Sequence, residues 1–345
     1  MSTETTVSSA ADPVVIIDGH VPVIDISSSI GGDLAARRVV ADAIARACET
    51  SGFFVIAGHG VPAALVDEME RVSLDFFALP DETKQAYAVA TGDPTIRGWY
   101  ATPSYVAASN DVETAPDLCE LYTVCRLGEP GVATVESLGA DSYDVWSRAN
   151  PWPGEVGGFK DIWLDYYARL EAISAHLMRL FALGLGLDEA FFDDKIDDHI
   201  TNLVVNYYPP VEGEPLEGQY RKGPHSDWGT LTVLYQDETG GLEVLDRDAD
   251  EWVPVPVVPG SFVVNVGDLM EVWTNDRWRS TKHRVPVPPA EHRTVPRVSM
   301  PYFHQPNWLA EVECLPSCLP AGETPIHEPV TSGQYLLDKI RTTYA

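Results

Sequence analysis

The chain has 345 residues, 45% of them hydrophobic, and a formal net charge of -29. This is enough apolar mass for one large domain or two small ones. The acidity repels phosphate backbones, so neither nucleic acid nor an anionic membrane surface is an expected partner.

Residues 1–13 read as a disordered tail, and residues 1–12 lack the basic start of a secretory signal. "VPVIDI" (21–26) reads as a short strand. "DLAARRVVADAIARACETSG" has apolar residues at helical spacing and a plausible terminating glycine, Gly52. "GFFVIAGHGVP" follows as a strand, then helices over about 63–77 and 80–88, the second opened by Pro80. Residues 89–155 have poor periodicity and read as loops with short strands, in part a lid.

The clearest helix lies in "GGFKDIWLDYYARLEAISAHLMRLFALGLGL", where Ile162, Tyr166, Leu170, Ile173, Leu177 and Leu180 share one face and Gly184 is the expected stop. From residue 200 the period becomes two. "NLVVNYY", "TLTVLYQ", "GLEVLD", "WVPVPV", "SFVVNV" and "RVSMPYF" are short apolar runs separated by turns, which predicts an antiparallel sandwich or barrel. A final helix is expected around 331–342. The five cysteines, Cys48, Cys119, Cys125, Cys314 and Cys318, fit no disulfide or zinc framework and are expected as free thiols in a reducing cytoplasm. No apolar run approaches the ~18 residues of a membrane span.

Four short patterns in the β-rich half carry chemistry. In "PHSDWGTL", His225 and Asp227 are two apart, so an extended backbone would present one imidazole and one carboxylate on the same face. "STKHRV" places His283 in or beside a later β segment. Two imidazoles and one carboxylate on one face suit non-haem Fe(II) and leave coordination positions open. Arg297 and Ser299 in "RVSMPYF" are again two apart, and a guanidinium with a hydroxyl is a receptor for a carboxylate. Asn206 and Tyr208 in "NYYPP" offer further hydrogen bonds at the end of an apolar strand.

In the order N-x-Y, H-x-D, H, R-x-S, the chain resembles the iron(II)/2-oxoglutarate-dependent oxygenases, specifically the isopenicillin N synthase-like branch. "VPVIDI", "SGFFVIAGHGVP" and "FFALPDETK" look like the N-terminal region of that family, and "HSDWGTLTVLYQD", "GGLEV" and "NVGDLMEVWTNDRWRSTKHRV" look like its core. The resemblance implies a mixed, β-rich fold, a double-stranded β-helix (jelly roll) with flanking helices. It divides the chain into an N-terminal dioxygenase region (14–155), a scaffold-helix segment (156–197), the jelly-roll core (198–306) and a C-terminal segment with a helix (307–345). It implies that His225, Asp227 and His283 bind Fe(II), that Arg297 and Ser299 hold the distal carboxylate of 2-oxoglutarate, and that Asn206 and Tyr208 seat its keto-acid end. The implied activity is dioxygen-dependent hydroxylation, desaturation or cyclisation of a small molecule, in specialised metabolism such as antibiotic biosynthesis.

An alternative within the branch is a ring-closing oxidase that works without 2-oxoglutarate. "LTVLYQ" and "IRGWY" look like that enzyme, whereas Asn206 with Tyr208 and "GGLEV" look like the 2-oxoglutarate users. Val204 stands where many plant members have an arginine. Substrate-contact candidates are Arg97, Trp228, Met270, Phe303 and His304, while His59 and His292 read as structural and solvated respectively. Nothing in the sequence sets an oligomeric state, and a monomer is the default expectation.

Overall fold

The structure is a computed structural model and describes residues 14–90, 92–102 and 115–343. The expected N-terminal tail lies outside the described residues, as does the 103–114 part of the expected lid. Two sheets form the centre. The larger has nine strands in the order Val15–Ile17, Val23–Asp25, Phe53–Ala57, Phe262–Val266, Leu231–Gln236, Arg297–His304, Asn202–Tyr208, Glu120–Cys125 and Gly98–Tyr100. The smaller has four, in the order Glu251–Pro254, Glu243–Asp246, His283–Pro286 and Tyr220–His225. Pairing is antiparallel except between Val23–Asp25 and Phe53–Ala57, which run parallel. A separate two-stranded ribbon joins Glu311–Val312 to Val330–Thr331.

Side-chain parity sorts the larger sheet into two faces. Phe54, Ile56, Leu203, Val205, Val233, Val264, Met300 and Tyr302 pack with the helices Leu34–Thr50, Ala63–Phe77 and Phe159–Gly184 in one core. Phe53, Val55, Leu234 and Val263 join Val244 and Val285 of the facing sheet, with Leu242 just before its strand Glu243–Asp246, in a second core. Both faces of the large sheet are therefore covered. This explains why its strands read as nearly continuous apolar runs.

The helices follow their local signals with two departures, at the end of the long helix and in the expected 80–88 helix, which is a single turn, Asp81–Lys84, followed by a 3-10 turn over Gln85–Tyr87. Asp33 caps Leu34–Thr50 by accepting from Ala36 N (2.9 Å), and Gly52 takes the left-handed conformation after it (φ +73°). The long helix runs Phe159–Gly184 and is followed by a loop and the single turn Asp193–Ile196. Gly184 is its last helical residue, and Gly186 takes the left-handed position (φ +73°). Gly184 serves packing instead: a Cβ there would lie 3.1 Å from Ala41 O and Ala45 Cβ of the neighbouring helix. The C-terminal helix is Ser332–Thr343.

Elements the sequence did not announce include the strand Tyr220–His225, the helix Asp268–Thr274 and the short helices Val135–Leu138 and Ala140–Trp146. Tyr220–His225 is polar and holds Gly223 and Pro224, which an edge strand tolerates. The short strands expected in the 89–155 stretch are Gly98–Tyr100 and the fully buried Glu120–Cys125, both in the large sheet. All five cysteines are free thiols. Among the described residues, no helix is long and apolar enough to cross a membrane.

One buried ion pair ties helix to sheet. Lys84 Nζ donates to Glu120 Oε1 (2.6 Å) and Phe77 O (3.0 Å), and Trp99 Nε1 donates to the same Glu120 oxygen (2.6 Å). Lys84→Met strands a buried carboxylate and is expected to cost about 3–5 kcal/mol in urea unfolding. Lys84→Met combined with Glu120→Gln should recover most of that loss. A cost below about 1 kcal/mol for the single variant would show that the pair is dispensable.

Candidate metal and co-substrate site

His225 ends one strand and His283 begins its neighbour, and the two are register partners. Their rings lie 4.3 Å apart, centroid to centroid. Asp227 Oδ1 is 3.9 Å from His225 Nε2 and 3.6 Å from His283 Nε2. One ligand atom from each residue lies within 4.8 Å of the others, the sole such cluster among the described residues.

Each of the three side chains is oriented by a second contact. His225 Nδ1–H donates to Gly223 O (2.8 Å) and His283 Nδ1–H to Thr281 O (3.2 Å). A carbonyl can only accept, so the proton sits on Nδ1 and each Nε2 keeps its lone pair toward the cluster. Asp227 Oδ2 accepts from Thr232 Oγ1 (2.6 Å) and Asn265 Nδ2 (2.8 Å), which leaves Oδ1 for the cluster. Burial, with the His283 ring beside it, pushes the His225 imidazole down to about 3. Burial alone would raise the Asp227 carboxyl, but His283, His225 and the two hydrogen bonds outweigh it and lower its pKa. Neutral imidazole and charged carboxylate are the forms that bind a metal, and this donor set fits Fe(II).

The spacing argument for His225 and Asp227 needs correction. Asp227 lies beyond the strand end, so pleat alternation does not aim it. The loop after it is docked onto the start of the Asp268–Thr274 helix: Asp268 N donates to Asp227 O (2.8 Å) and Leu269 N to Gly229 O (3.0 Å). Gly229 and Gly267 permit this approach, because a Cβ on Gly267 would come within 2.3 Å of Gly229 O and one on Gly229 within 2.1 Å of His304 O.

The other two pairs sit directly across from each other. Arg297 is the register partner of Tyr208, and Ser299 of Asn206. The Arg297 guanidinium lies 4.9 Å over the Tyr208 ring, and Asn206 Nδ2 reaches Ser299 Oγ at 3.4 Å. Arg297 Nε donates to Gly240 O, but neither terminal nitrogen has a hydrogen-bond partner, although the residue is only 1% exposed. A buried guanidinium with one unmatched edge is a receptor for a carboxylate. It opens on the same small cavity as His225, Asp227 and His283, walled by Leu234, Leu242 and Val285.

A larger cleft, about 190 Å³ and open to solvent, adjoins the cluster. Trp228 and Phe303 line it, as the sequence suggested. The other three substrate-contact candidates do not. Arg97 turns its guanidinium onto the carbonyls of Trp146 and Arg148, His304 is buried against Thr230 Oγ1 (2.6 Å), and Met270 is core. Motif likeness placed them by neighbourhood, whereas their own hydrogen bonds and packing point them elsewhere. His59 is structural, bonded to Gly260 O (2.9 Å), and His292 is exposed.

Sequence reading missed Tyr100, Thr123, Asn202, Lys222 and Gln305 in the cleft wall, together with Leu336 and Lys339 of the C-terminal helix. The available signal was a polar residue at one parity of an otherwise apolar strand, as in Asn202 and Thr123. No local signal marks the helix. It is held by Asp268 Oδ2, which accepts from Lys339 Nζ (2.9 Å) and Tyr335 OH (3.0 Å), while the same residue's backbone bonds the Asp227 loop.

Residues 200–306 match the 2OG-Fe(II) oxygenase superfamily, and residues 21–154 match the N-terminal region described for a non-haem dioxygenase in morphine synthesis. Validamycin A dioxygenase of Streptomyces hygroscopicus subsp. limoneus is 35% identical, covering 93% of this chain and 86% of that protein. A 2-oxoglutarate-Fe(II) type oxidoreductase of Emericella nidulans is 33% identical, covering 94% and 89%. Among solved structures, a full-length Neurospora crassa protein in complex with alpha-KG and thymine superposes with a TM-score of 0.81 at 29% identity, covering 94% of this chain and 98% of that one.

Proposed function

Because the chain belongs to the 2-oxoglutarate/Fe(II) oxygenase superfamily, with its jelly-roll fold and its Fe(II)- and 2-oxoglutarate-dependent dioxygenase activity, we propose that His225, Asp227 and His283 are the iron ligands and that Arg297, Ser299, Asn206 and Tyr208 hold 2-oxoglutarate. The observation that carries this reading is the unmatched edge of Arg297 opening on the same cavity as the three-residue cluster.

Bound iron, with 2-oxoglutarate as the co-substrate converted to succinate and carbon dioxide, supplies the redox chemistry that turns dioxygen against a C–H bond. The chain's own residues do the rest. Thr232 and Asn265 hold the Asp227 carboxylate in one rotamer, and the carbonyls of Gly223 and Thr281 hold both imidazoles. Arg297 pairs with the far carboxylate of the co-substrate and Ser299 adds a hydroxyl, which sets its distance from the ligands. Tyr208 supports the guanidinium from beneath. Leu234, Leu242 and Val285 exclude water around the aliphatic part of the co-substrate.

The substrate on this reading is a small molecule of specialised metabolism, hydroxylated, desaturated or cyclised in the larger cleft. The relatives named above support a small molecule, and validamycin A in particular a link to antibiotic biosynthesis. The relatives named above do not favour the ring-closing oxidase that dispenses with 2-oxoglutarate. The test is anaerobic titration of the apo-protein with Fe(II) and then 2-oxoglutarate. One iron per chain and a weak visible charge-transfer band are expected, with iron binding lost in His283→Ala. A band of full strength in His283→Ala would remove that residue from the ligand set.

A further inference from the structure

The large cleft has an unusual floor. Thr123 Oγ1, Asn202 Oδ1 and Gln305 Oε1 belong to residues that line it, each at most 6% exposed, and none of the three oxygens has a hydrogen-bond partner. They come from three segments: the strand Glu120–Cys125, the strand Asn202–Tyr208 and the position just past the strand Arg297–His304. Buried polar atoms are normally matched within the protein, so three unmatched ones on one wall call for a ligand.

Their chemistry limits that ligand. All three groups are uncharged: the hydroxyl both donates and accepts, and each amide offers an N–H donor beside its acceptor oxygen. Apart from Asp227, the described residues of the cleft wall include no carboxylate, and the Lys339 ammonium is already paired with Asp268. A cationic amine carries donors only and would leave the amide N–H groups of Asn202 and Gln305 without an acceptor. A purely apolar molecule would leave the oxygens unmatched. Trp228, Tyr100 and Phe303 offer flat surfaces for a ring.

We infer that Thr123, Asn202 and Gln305 form a recognition site for the non-reacting end of the substrate, an uncharged ring that presents both hydrogen-bond donors and acceptors, as in a cyclic amide or a polyhydroxylated ring. The inference rests on the proposed function, since it places the reacting end of that ring toward His225, Asp227 and His283.

The test uses the anaerobic Fe(II)- and 2-oxoglutarate-loaded protein, with hydantoin and myo-inositol as neutral donor-rich probes and cyclohexylamine as the cationic control. Binding is read by calorimetry and by perturbation of the charge-transfer band. At least one neutral probe should bind and the amine should not, and the neutral probe that binds distinguishes the amide from the polyol source. Thr123→Val, Asn202→Leu and Gln305→Leu should each weaken that probe about tenfold or more, the effect of one buried hydrogen bond to a ligand, while Thr123→Ser keeps affinity. The ligand-free melting temperature should hold or rise in the three apolar variants, because each removes an unmatched buried oxygen. The inference is overturned if neither neutral probe binds although the band forms, if the amine binds best, if affinity is unchanged in the variants, or if all three variants lose several degrees of melting temperature. Absence of the band itself would instead sink the iron and co-substrate assignment, so the two failures are separable.

Discussion

Asp227→Ala should lose iron binding at micromolar Fe(II) and drop turnover to background while the protein still unfolds cooperatively. Its carboxylate is the sole negative charge of the cluster, and neutral imidazoles alone hold iron(II) far more weakly. The structural cost is bounded. Thr232 Oγ1 and Asn265 Nδ2 lose their acceptor, at roughly 1–3 kcal/mol for each buried group left unmatched, and relief of a buried charge offsets part of it. Fe(II) titration followed by circular dichroism on the same sample separates the two effects. Retained stoichiometric iron would refute Asp227 as a ligand. Thr232→Val should fall between, with iron affinity down about 10–100-fold, because it frees the ligand to rotate without removing it.

Arg297→Leu should leave iron binding unchanged and weaken 2-oxoglutarate by about 10²–10³-fold, the equivalent of roughly 3–4 kcal/mol for a buried charge-assisted contact. The residue has no other task that would explain its state. It is 1% exposed, its Nε is taken by Gly240 O, and both remaining nitrogens are unmatched. Arg297→Lys should recover only part of the affinity, because an ammonium lacks the planar fork and sits poorly over the Tyr208 ring. The measurement is the charge-transfer band titrated with 2-oxoglutarate at fixed iron. A shift of less than about threefold, under 0.7 kcal/mol, would assign the co-substrate carboxylate elsewhere.

Much of the fold follows from local pattern. Period-two runs after residue 200 became the strands of the two sheets, and Gly52 follows the first long helix as its expected terminator. Tyr220–His225 escaped because an edge strand near a polar site carries no apolar alternation. Arg97 and His304 misled for a related reason: type and neighbourhood are visible in sequence, but the direction of a side chain is not.

By itself, then, the amino-acid order determined which residues share a face. Arg297 with Ser299 and Asn206 with Tyr208 are same-side pairs by the covalent geometry of an extended chain, wherever their strands lie. Only the tertiary structure decided what each pair faces. Strand register set Arg297 against Tyr208 and Ser299 against Asn206, and brought His283 beside His225. Docking of the Asp268–Thr274 helix, made possible by Gly229 and Gly267, holds the loop of Asp227 beside them. The C-terminal helix closes the cleft through Asp268. Such juxtapositions depend on pairing and packing between segments far apart in the chain. Their free energy is shared among all the elements that meet, so no single segment encodes it.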